Sequence, residues 1–472
     1  MASRTINATG LARLLGGTPE GRPLYAALAR SLRGLVLDGR LPLRTRLPAE
    51  RDLAAALGLS RTTVTSAYDA LRAEGYVESR QGAGSWTALP AGSPGAARHG
   101  LAEDRTLIDL ACVAPPAPRG FEDDVAAAVA ELPCYTRGPG YEPLGLWTLR
   151  EAIAARYTAR GVPTLPEQIL VTTGAQHALC LVVQAFVRPG DPVLVESPTY
   201  PHALDALRRA GARLVPAGVN AGWDPELITS GLRQSAARLA YLIPDFQNPT
   251  GLLMDDDVRA AVVAAARATG AYVITDETFT ELAVDDVARP RPLAAHDTDG
   301  RVISIGSASK VLWGGLRIGW IRATQALVRR LVEARESVDL ASPVLEQLIV
   351  AGLLGRMDAV AGERRAMLRE RRAALVDALR RECPDWEFTV PPGGLSLWVR
   401  LPGTSSTALA ATAARYGLHV VPGTAFGVDG VLDDHVRVPY VLPPEVLRDA
   451  VSRLAAACRE PAGAQPPRPA FV

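Results

Sequence analysis

Ser307-Ala308-Ser309-Lys310-Val311-Leu312-Trp313-Gly314-Gly315-Leu316-Arg317 contains the only lysine in a chain of 472 residues. The other 50 of its 51 Lys and Arg residues are arginines. Arginine keeps its proton in water and cannot form a Schiff base, whereas a primary amine can. A chain that uses arginine elsewhere and lysine once suggests chemistry that needs an amine there; the competing reading is chance retention on the surface. The apolar run Val302–Ile305 precedes the stretch and reads as a strand. Lys310 then falls on a loop at a sheet edge, where α/β proteins bind ligands. Ser307, Ser309 and Arg317 flank the amine with two hydroxyls and a guanidinium, groups that hold a phosphate while the amine holds an aldehyde.

Working outward, short β-branched runs alternate with Ala-rich amphipathic helices from about residue 106. Ile169–Thr172, Pro192–Glu196, Leu239–Ile243, Tyr272–Thr275 and Val302–Ile305 read as strands, so a mostly parallel sheet covered by helices is expected. Polar residues follow the strand ends in an order that suits pyridoxal 5'-phosphate. Gly174, Ala175 and Gln176 open the helix Ala178–Phe186, where backbone amides at a helix start cradle phosphate. Asp276 ends its strand, placed to pair with a pyridinium nitrogen and keep the ring an electron sink. Asn248, in Asn248-Pro249-Thr250-Gly251, is placed to donate to the ring hydroxyl, and Tyr200 to stack on the ring face. Each piece also has a structural reading, as helix cap, turn or core. Their common order after successive strands is what joins them. The C-terminal part, about 350–465, opens with a long Arg-rich helix and continues through the strand Leu395–Arg400 into an α+β segment.

Residues 1–87 read differently. Leu24–Leu37, Pro48–Leu57 and Arg61–Glu74 read as three helices, with Gly58 breaking the second and Ser60 capping the third. Tyr76–Ser79 and Ser85–Ala88 read as a hairpin. That is a winged helix-turn-helix pattern. This segment holds 12 arginines against 7 acidic residues, while the whole chain has a net charge of +1. Positive charge is concentrated where a polyanion would bind. Residues 88–105, rich in Ala, Gly, Pro and Ser, read as a linker, residues 106–472 as the second domain, and the tail from about 461 as disordered.

The stretch LPAERDLAAALGLSRTTVTSAYDALRAEGYVESRQGAGSW resembles the GntR-type winged helix without gaps. The resemblance implies that Arg51 and Arg61 contact phosphate or base edges. It implies that Ser60, Thr62 and Thr63 begin the recognition helix, and that Gln81 and Gly82 form the wing tip. Arg51 also has a simpler reading, a salt bridge at the helix start. Thr65 stands where many relatives carry Arg. Residues 106–460 resemble the fold-type I aminotransferases at Gly174, Ala175, Gln176, Tyr200, Asn248, Asp276, Ser307, Lys310 and Arg317. By that resemblance Tyr141 reaches the phosphate of a partner subunit, which implies a homodimer. Arg437 takes the carboxylate of an amino acid, its other reading being a structural salt bridge. One departure is Phe279, where most relatives have a Tyr that donates to the ring's phenolic oxygen. Its absence puts efficient transamination in doubt, unless Phe279 is simply core and Asn248 or water takes over.

The fusion is similar to the MocR-like subfamily of bacterial regulators. The expected fold is an N-terminal α+β winged helix-turn-helix followed by an α/β aminotransferase-like domain with large and small subdomains. The expected function is a pyridoxal-phosphate-dependent transcriptional regulator. It binds a double-stranded operator and senses an amine, an amino acid or the cofactor itself through an internal aldimine on Lys310. The alternatives are a working aminotransferase with an appended DNA-binding domain, and a fold kept only for dimerisation. The five cysteines show no CxxC and the six histidines no ligand spacing, so neither a disulfide framework nor a metal site is expected. No apolar run reaches membrane-spanning length and MASRTINATG lacks a signal-peptide core, so a cytoplasmic bacterial protein without membrane partners is expected.

Overall fold

The computed structural model describes residues 4–18, 21–37, 41, 45–80, 84–88, 107–219 and 222–460. The expected linker beyond Ala88, the wing-tip residues Gln81 and Gly82 and the tail from 461 lie outside them.

In the N-terminal unit, α1 (Ala8–Leu15), α2 (Leu24–Leu37), α3 (Glu50–Leu57) and α4 (Arg61–Ala73) pack around one apolar core. Leu28, Leu32, Leu53, Val64, Tyr68 and Leu71 are buried there at 2% exposure or less. Gly58, in the left-handed region at φ 66°, ends α3 with its N–H on Ala54 and Ala55 carbonyls. Ser60 caps α4 by accepting from the Thr63 N–H at 3.1 Å. The wing is a four-stranded sheet in the order β1-β2-β4-β3, from β1 (Arg4–Thr5), β2 (Thr45–Arg46), β3 (Val77–Arg80) and β4 (Gly84–Thr87). Three details differ from the sequence reading. The second helix begins at Glu50 because Ala49 is still extended at ψ 144°. The hairpin strands shift by one residue. The helix α1 and the strands β1 and β2 were not expected at all; Asn7 starts α1 by accepting from the Gly10 N–H at 2.8 Å.

After β5 (Ile108–Asp109), α5 (Phe121–Glu131) and α6 (Trp147–Ala159), the chain builds a seven-stranded sheet. Its strands are β6 (Ile169–Thr172), β7 (Pro192–Ser197), β8 (Arg213–Gly218), β9 (Leu239–Leu242), β10 (Tyr272–Asp276), β11 (Val302–Ser307) and β12 (Gly319–Arg322), in the order β6-β12-β11-β10-β9-β7-β8. Only β12 runs antiparallel to its neighbours. Strands β6, β9 and β11 are buried along their whole length, as parallel strands covered on both faces must be. The sequence reading missed β8 and β12. Strand β12 is only Gly-Trp-Ile-Arg and lacks alternation, and it is fixed by pairing with β11 on one side and, on the other, with β6, far away in sequence. The helices α7 (Ala175–Phe186) and α8 (Pro201–Arg209) follow β6 and β7.

The C-terminal part uses the 26-residue helix Met357–Glu382 and a three-stranded sheet of β13 (Glu387–Phe388), β14 (Ser396–Arg400) and β16 (His435–Pro439). The remaining strand, β15 (Leu418–His419), pairs with β5, so the start of this unit is stitched to its end. Among the described residues no helix is long and apolar enough to cross a membrane.

Candidate cofactor and effector site, and the DNA-facing helix

The C-terminal ends of β6, β7, β10 and β11 deliver the expected residues to one edge of the large sheet. Strand β6 ends at Thr172 and turns through Gly174, at φ 88°, into α7. A Cβ on Gly174 would lie 2.6 Å from Arg317 Nη2, so the guanidinium is seated on the turn itself. Arg317 Nη2 also donates to the Thr173 carbonyl at 3.3 Å. From below, Gly319 presses on the same turn: a Cβ there would lie 2.6 Å from the Gly174 carbonyl carbon and 2.7 Å from the Ala175 nitrogen. Ser307 Oγ accepts from the Ser309 N–H at 3.1 Å, which folds the loop that leads to Lys310. Gln176 Nε2 donates to the His202 carbonyl at 3.2 Å, while its Oε1 is buried without a partner. Amides, hydroxyls and a guanidinium thus converge as an anion cradle needs.

Lys310 is half-buried and its Nζ donates to the Val113 carbonyl at 2.8 Å. Burial first, then the Arg437 charge, pushes its amine down to about 8, with Cys112 and Asp276 opposing. Asp276 ends β10 and is buried; its Oδ1 accepts from Thr278 N–H and Oγ1 at 3.0 and 2.6 Å, and its Oδ2 accepts from Tyr241 Oη at 2.7 Å. Tyr200 precedes α8, and burial pushes its hydroxyl up to about 12. Asn248 is buried and its Oδ1 accepts from Arg437 Nη1 at 3.4 Å, which leaves its amide nitrogen as the donor end. Phe279 is buried at 5% exposure and brings no hydroxyl.

Arg437 sits on β16, 4% exposed. Its Nη2 donates to the Ala111 carbonyl at 2.7 Å, and its guanidinium lies 4.9 Å from the Phe426 ring centre. Among the described residues no carboxylate comes within ion-pairing distance, and Nε is buried without a partner. Burial pushes this guanidinium down to about 10, so it stays cationic at neutral pH. A buried cation without a carboxylate is costly unless an anion joins it. Tyr141 lies 65% exposed on the surface of its own chain.

Several residues of this site escaped the sequence reading. Tyr241 lies inside an apolar strand and carried no motif signal. Gly319 is hidden in the unexpected β12. Arg335 is fully buried; its Nη1 donates to the Pro143 and Val171 carbonyls, and it pairs with Asp339, which accepts from Thr173 Oγ1 at 3.2 Å. It therefore ties the Tyr141 loop to the Gly174 turn.

On the N-terminal unit, Ser60, Arg61 and Thr62 are exposed and Thr63 half-exposed at the start of α4, and Arg51 is exposed in the first turn of α3. Arg51 Nε lies 3.3 Å from Asp52, a pair in which both partners are largely solvated and which holds Arg51 only weakly. Thr65 Oγ1 donates to Glu50 Oε2 at 2.8 Å, so it turns back onto α3.

Comparison with known proteins agrees with this geometry. Residues 128–454 match the family "Aminotransferase class I and II", and residues 24–86 match "Bacterial regulatory proteins, gntR family". The chain is 34% identical to the 2-aminoadipate transaminase of Thermus thermophilus, over 73% of this chain and 88% of that one. It is 32% identical to the probable rhizopine catabolism regulatory protein MocR of Rhizobium meliloti, over 77% and 78%. Among solved structures it is similar to the α-aminoadipate aminotransferase LysN of Thermus thermophilus, complexed with N-(5'-phosphopyridoxyl)-L-leucine. The TM-score is 0.68 at 32% identity, covering 75% of this chain and 92% of that one. The chain belongs to the class I and II aminotransferase family, here fused to a GntR-type winged helix, and within the GntR-type regulators to the MocR-like subfamily. The cofactor of this fold is pyridoxal 5'-phosphate. The turn at Gly174 with Arg317 seated on it and the lone amine of Lys310 fit it.

Proposed function

We propose that this protein is a pyridoxal-phosphate-dependent transcriptional regulator whose effector is a primary amine or an amino acid. The observation that carries the proposal is the pairing, at one site, of the chain's only lysine with a buried arginine that has no carboxylate partner among the described residues. Pyridoxal phosphate supplies an aldehyde that exchanges one amine for another and a ring that withdraws electrons. The chain's own residues do the rest. Gly174, Ala175, Gln176, Ser307, Ser309 and Arg317 hold the phosphate. Lys310 offers an amine that is partly neutral at physiological pH. Asp276 holds a proton at the ring nitrogen, Asn248 donates to the ring oxygen, and Tyr200 covers a ring face. Arg437 exchanges the Ala111 carbonyl for the carboxylate of an amino acid.

The exposed start of α4, with Arg61, Ser60, Thr62 and Thr63, enters the major groove of double-stranded DNA, and Arg51 meets phosphate. Gln81 and Gly82 belong to the wing in this reading. The solvent-exposed Tyr141 reaches a partner subunit's phosphate in a homodimer, which presents two winged helices to two half-sites. A DNA-binding role places the protein in the bacterial cytoplasm.

The test is a paired titration of amines and amino acids against cofactor absorbance and operator affinity. Parallel changes at the same concentrations support the proposal, and spectral change with constant operator affinity overturns it. The 34% identity to a transaminase favours a second reading, a turning-over aminotransferase. Steady formation of keto acid by the purified protein would establish that reading, and a spectral change without turnover excludes it.

A further inference from the structure

Tyr241 reaches this site from β9, the strand between β10 and β7. In the register of β9 and β10, Tyr241 faces Ile274, so Asp276 lies two residues further along on the same face. A long aromatic side chain spans that diagonal. The contact is a 2.7 Å hydrogen bond from Tyr241 Oη to Asp276 Oδ2, with Tyr241 fully buried and Asp276 at 7% exposure. The other oxygen of Asp276 is already taken by Thr278 N–H and Oγ1. Asp276 is therefore held by three donors from two strand ends, and none of them is a cation.

A second buried carboxylate lies nearby. Glu196, on β7, is fully buried and close enough to repel it. Glu196 is itself held by Trp223 Nε1 at 2.7 Å, the Ile243 N–H at 3.0 Å and Gln247 Nε2 at 3.0 Å, again without a cation. The titratable and charged groups that act on Tyr241 and Asp276 are Glu196 from β7, Tyr200 at the start of α8, and Lys310 beyond β11. The tyrosine expected from the fold's pattern beside the ring is Phe279, which donates nothing. The Tyr241 hydroxyl, at the ring end of the sheet, is spent on the carboxylate.

Resting on the reading of Lys310 and Asp276 as the cofactor's partners, we propose that Tyr241 is a positioning residue: its hydroxyl holds the Asp276 carboxylate and keeps it aimed at the ring nitrogen. It acts through Asp276 and does not itself touch the cofactor. A buried carboxylate stays charged when donors satisfy it, and removing one donor raises its proton affinity. Without Tyr241 Oη, Asp276 takes the shared proton more readily. The ring nitrogen then carries less positive charge and withdraws less from the nitrogen that joins Lys310 to the cofactor.

The experiment is a pH titration of the absorbance of the holoprotein. Tyr241→Phe should keep the cofactor bound and raise the spectroscopic pKa of the Lys310–cofactor nitrogen by about one unit, equivalent to about 1.4 kcal/mol. Asp276→Asn should raise it further, and adding Tyr241→Phe to Asp276→Asn should change nothing more. That non-additivity separates action through Asp276 from a general loosening of the sheet. Incorporation of 3-fluorotyrosine at 241, a more acidic phenol of nearly the same shape, should move the pKa in the opposite direction and serves if the Phe variant does not fold. A Tyr241→Phe pKa within about 0.2 unit of wild type, the error of such a titration, or additive effects of the two changes, overturns the inference and leaves Lys310 as cofactor lysine intact. Absence of a visible band in the wild-type holoprotein would instead overturn the functional reading itself.

Discussion

Gly319→Ala isolates the phosphate cradle from everything else in the site. The new methyl would meet the Gly174 carbonyl carbon at 2.6 Å and the Ala175 nitrogen at 2.7 Å. Both are backbone atoms, and β12 is paired on both sides, to Thr172 of β6 and Ser307 of β11. Neither side can rotate away, so the turn must rise by about 0.8 Å to reach ordinary contact, beyond the ~0.5 Å tolerance of a preorganised site. Overpacking of this kind costs about 1–3 kcal/mol. Losing one charge-assisted bond from amide to phosphate costs about 1.5–3 kcal/mol. The expected result is cofactor affinity lower by about ten- to a hundredfold, measured by absorbance titration of the cofactor-free protein. Gly352→Ala, in a helix with nothing within 4 Å of the new methyl, is the control and should leave affinity unchanged. Wild-type affinity in Gly319→Ala would refute the assignment of the Gly174 turn as the phosphate site.

Other outcomes follow from the same geometry. The Lys310 amine, held near 8, is about one-tenth neutral at pH 7. Its rate of capturing added cofactor in stopped-flow absorbance should climb with pH, with its midpoint near 8, and level off above about 9; a rise continuing past about pH 10 would contradict the burial argument. Glu196 is fully buried and raised from 4.5 to about 7. A raised acid gives stability that is complete below pH 4.5 and lost as pH rises through 7, of the order of 3 kcal/mol. Urea midpoints should show that loss in wild type and not in Glu196→Gln. Arg335→Leu strips Asp339, Pro143 and Val171 of their shared donor and should cost about 3–5 kcal/mol in denaturation; a loss under about 1 kcal/mol would make the network idle. Arg61→Ala should weaken operator binding and lower the log–log salt slope by about 0.9, and an unaltered slope would remove Arg61 from the phosphate contacts.

What the sequence made legible was local. Gly174, Ser60 and Gly58 announce themselves because a left-handed turn or a helix cap needs those residue types. Lys310 stands out because the other 50 of the 51 Lys and Arg residues are arginine. The three central helices of the winged unit were readable from apolar spacing. Long-range consequences were not. Tyr241 is an aromatic in an apolar strand until the register with β10, 31 to 35 residues away, brings its hydroxyl to Asp276. Gly319 gains meaning only when β12 slides between β6 and β11. The helix α1 was invisible because it is only 8 residues long and carries Thr9 and Gly10 in its first turn, too little to hold a helix alone; its stability comes from Leu11, buried against the other helices. The exchange of Tyr for Phe279 was visible in the sequence, but not that the hydroxyl on Tyr241 serves Asp276 instead.

The central claim is that a single amine in this chain carries the cofactor. The direct measurement is borohydride reduction of the holoprotein followed by peptide mass mapping. With one lysine in the chain, the only other candidate amine is the N-terminus. The account predicts a phosphopyridoxyl mass increase on the peptide containing Lys310, and none on the Lys310→Ala protein. A label on the N-terminal peptide alone, or no label on a protein that retains its colour, would contradict it.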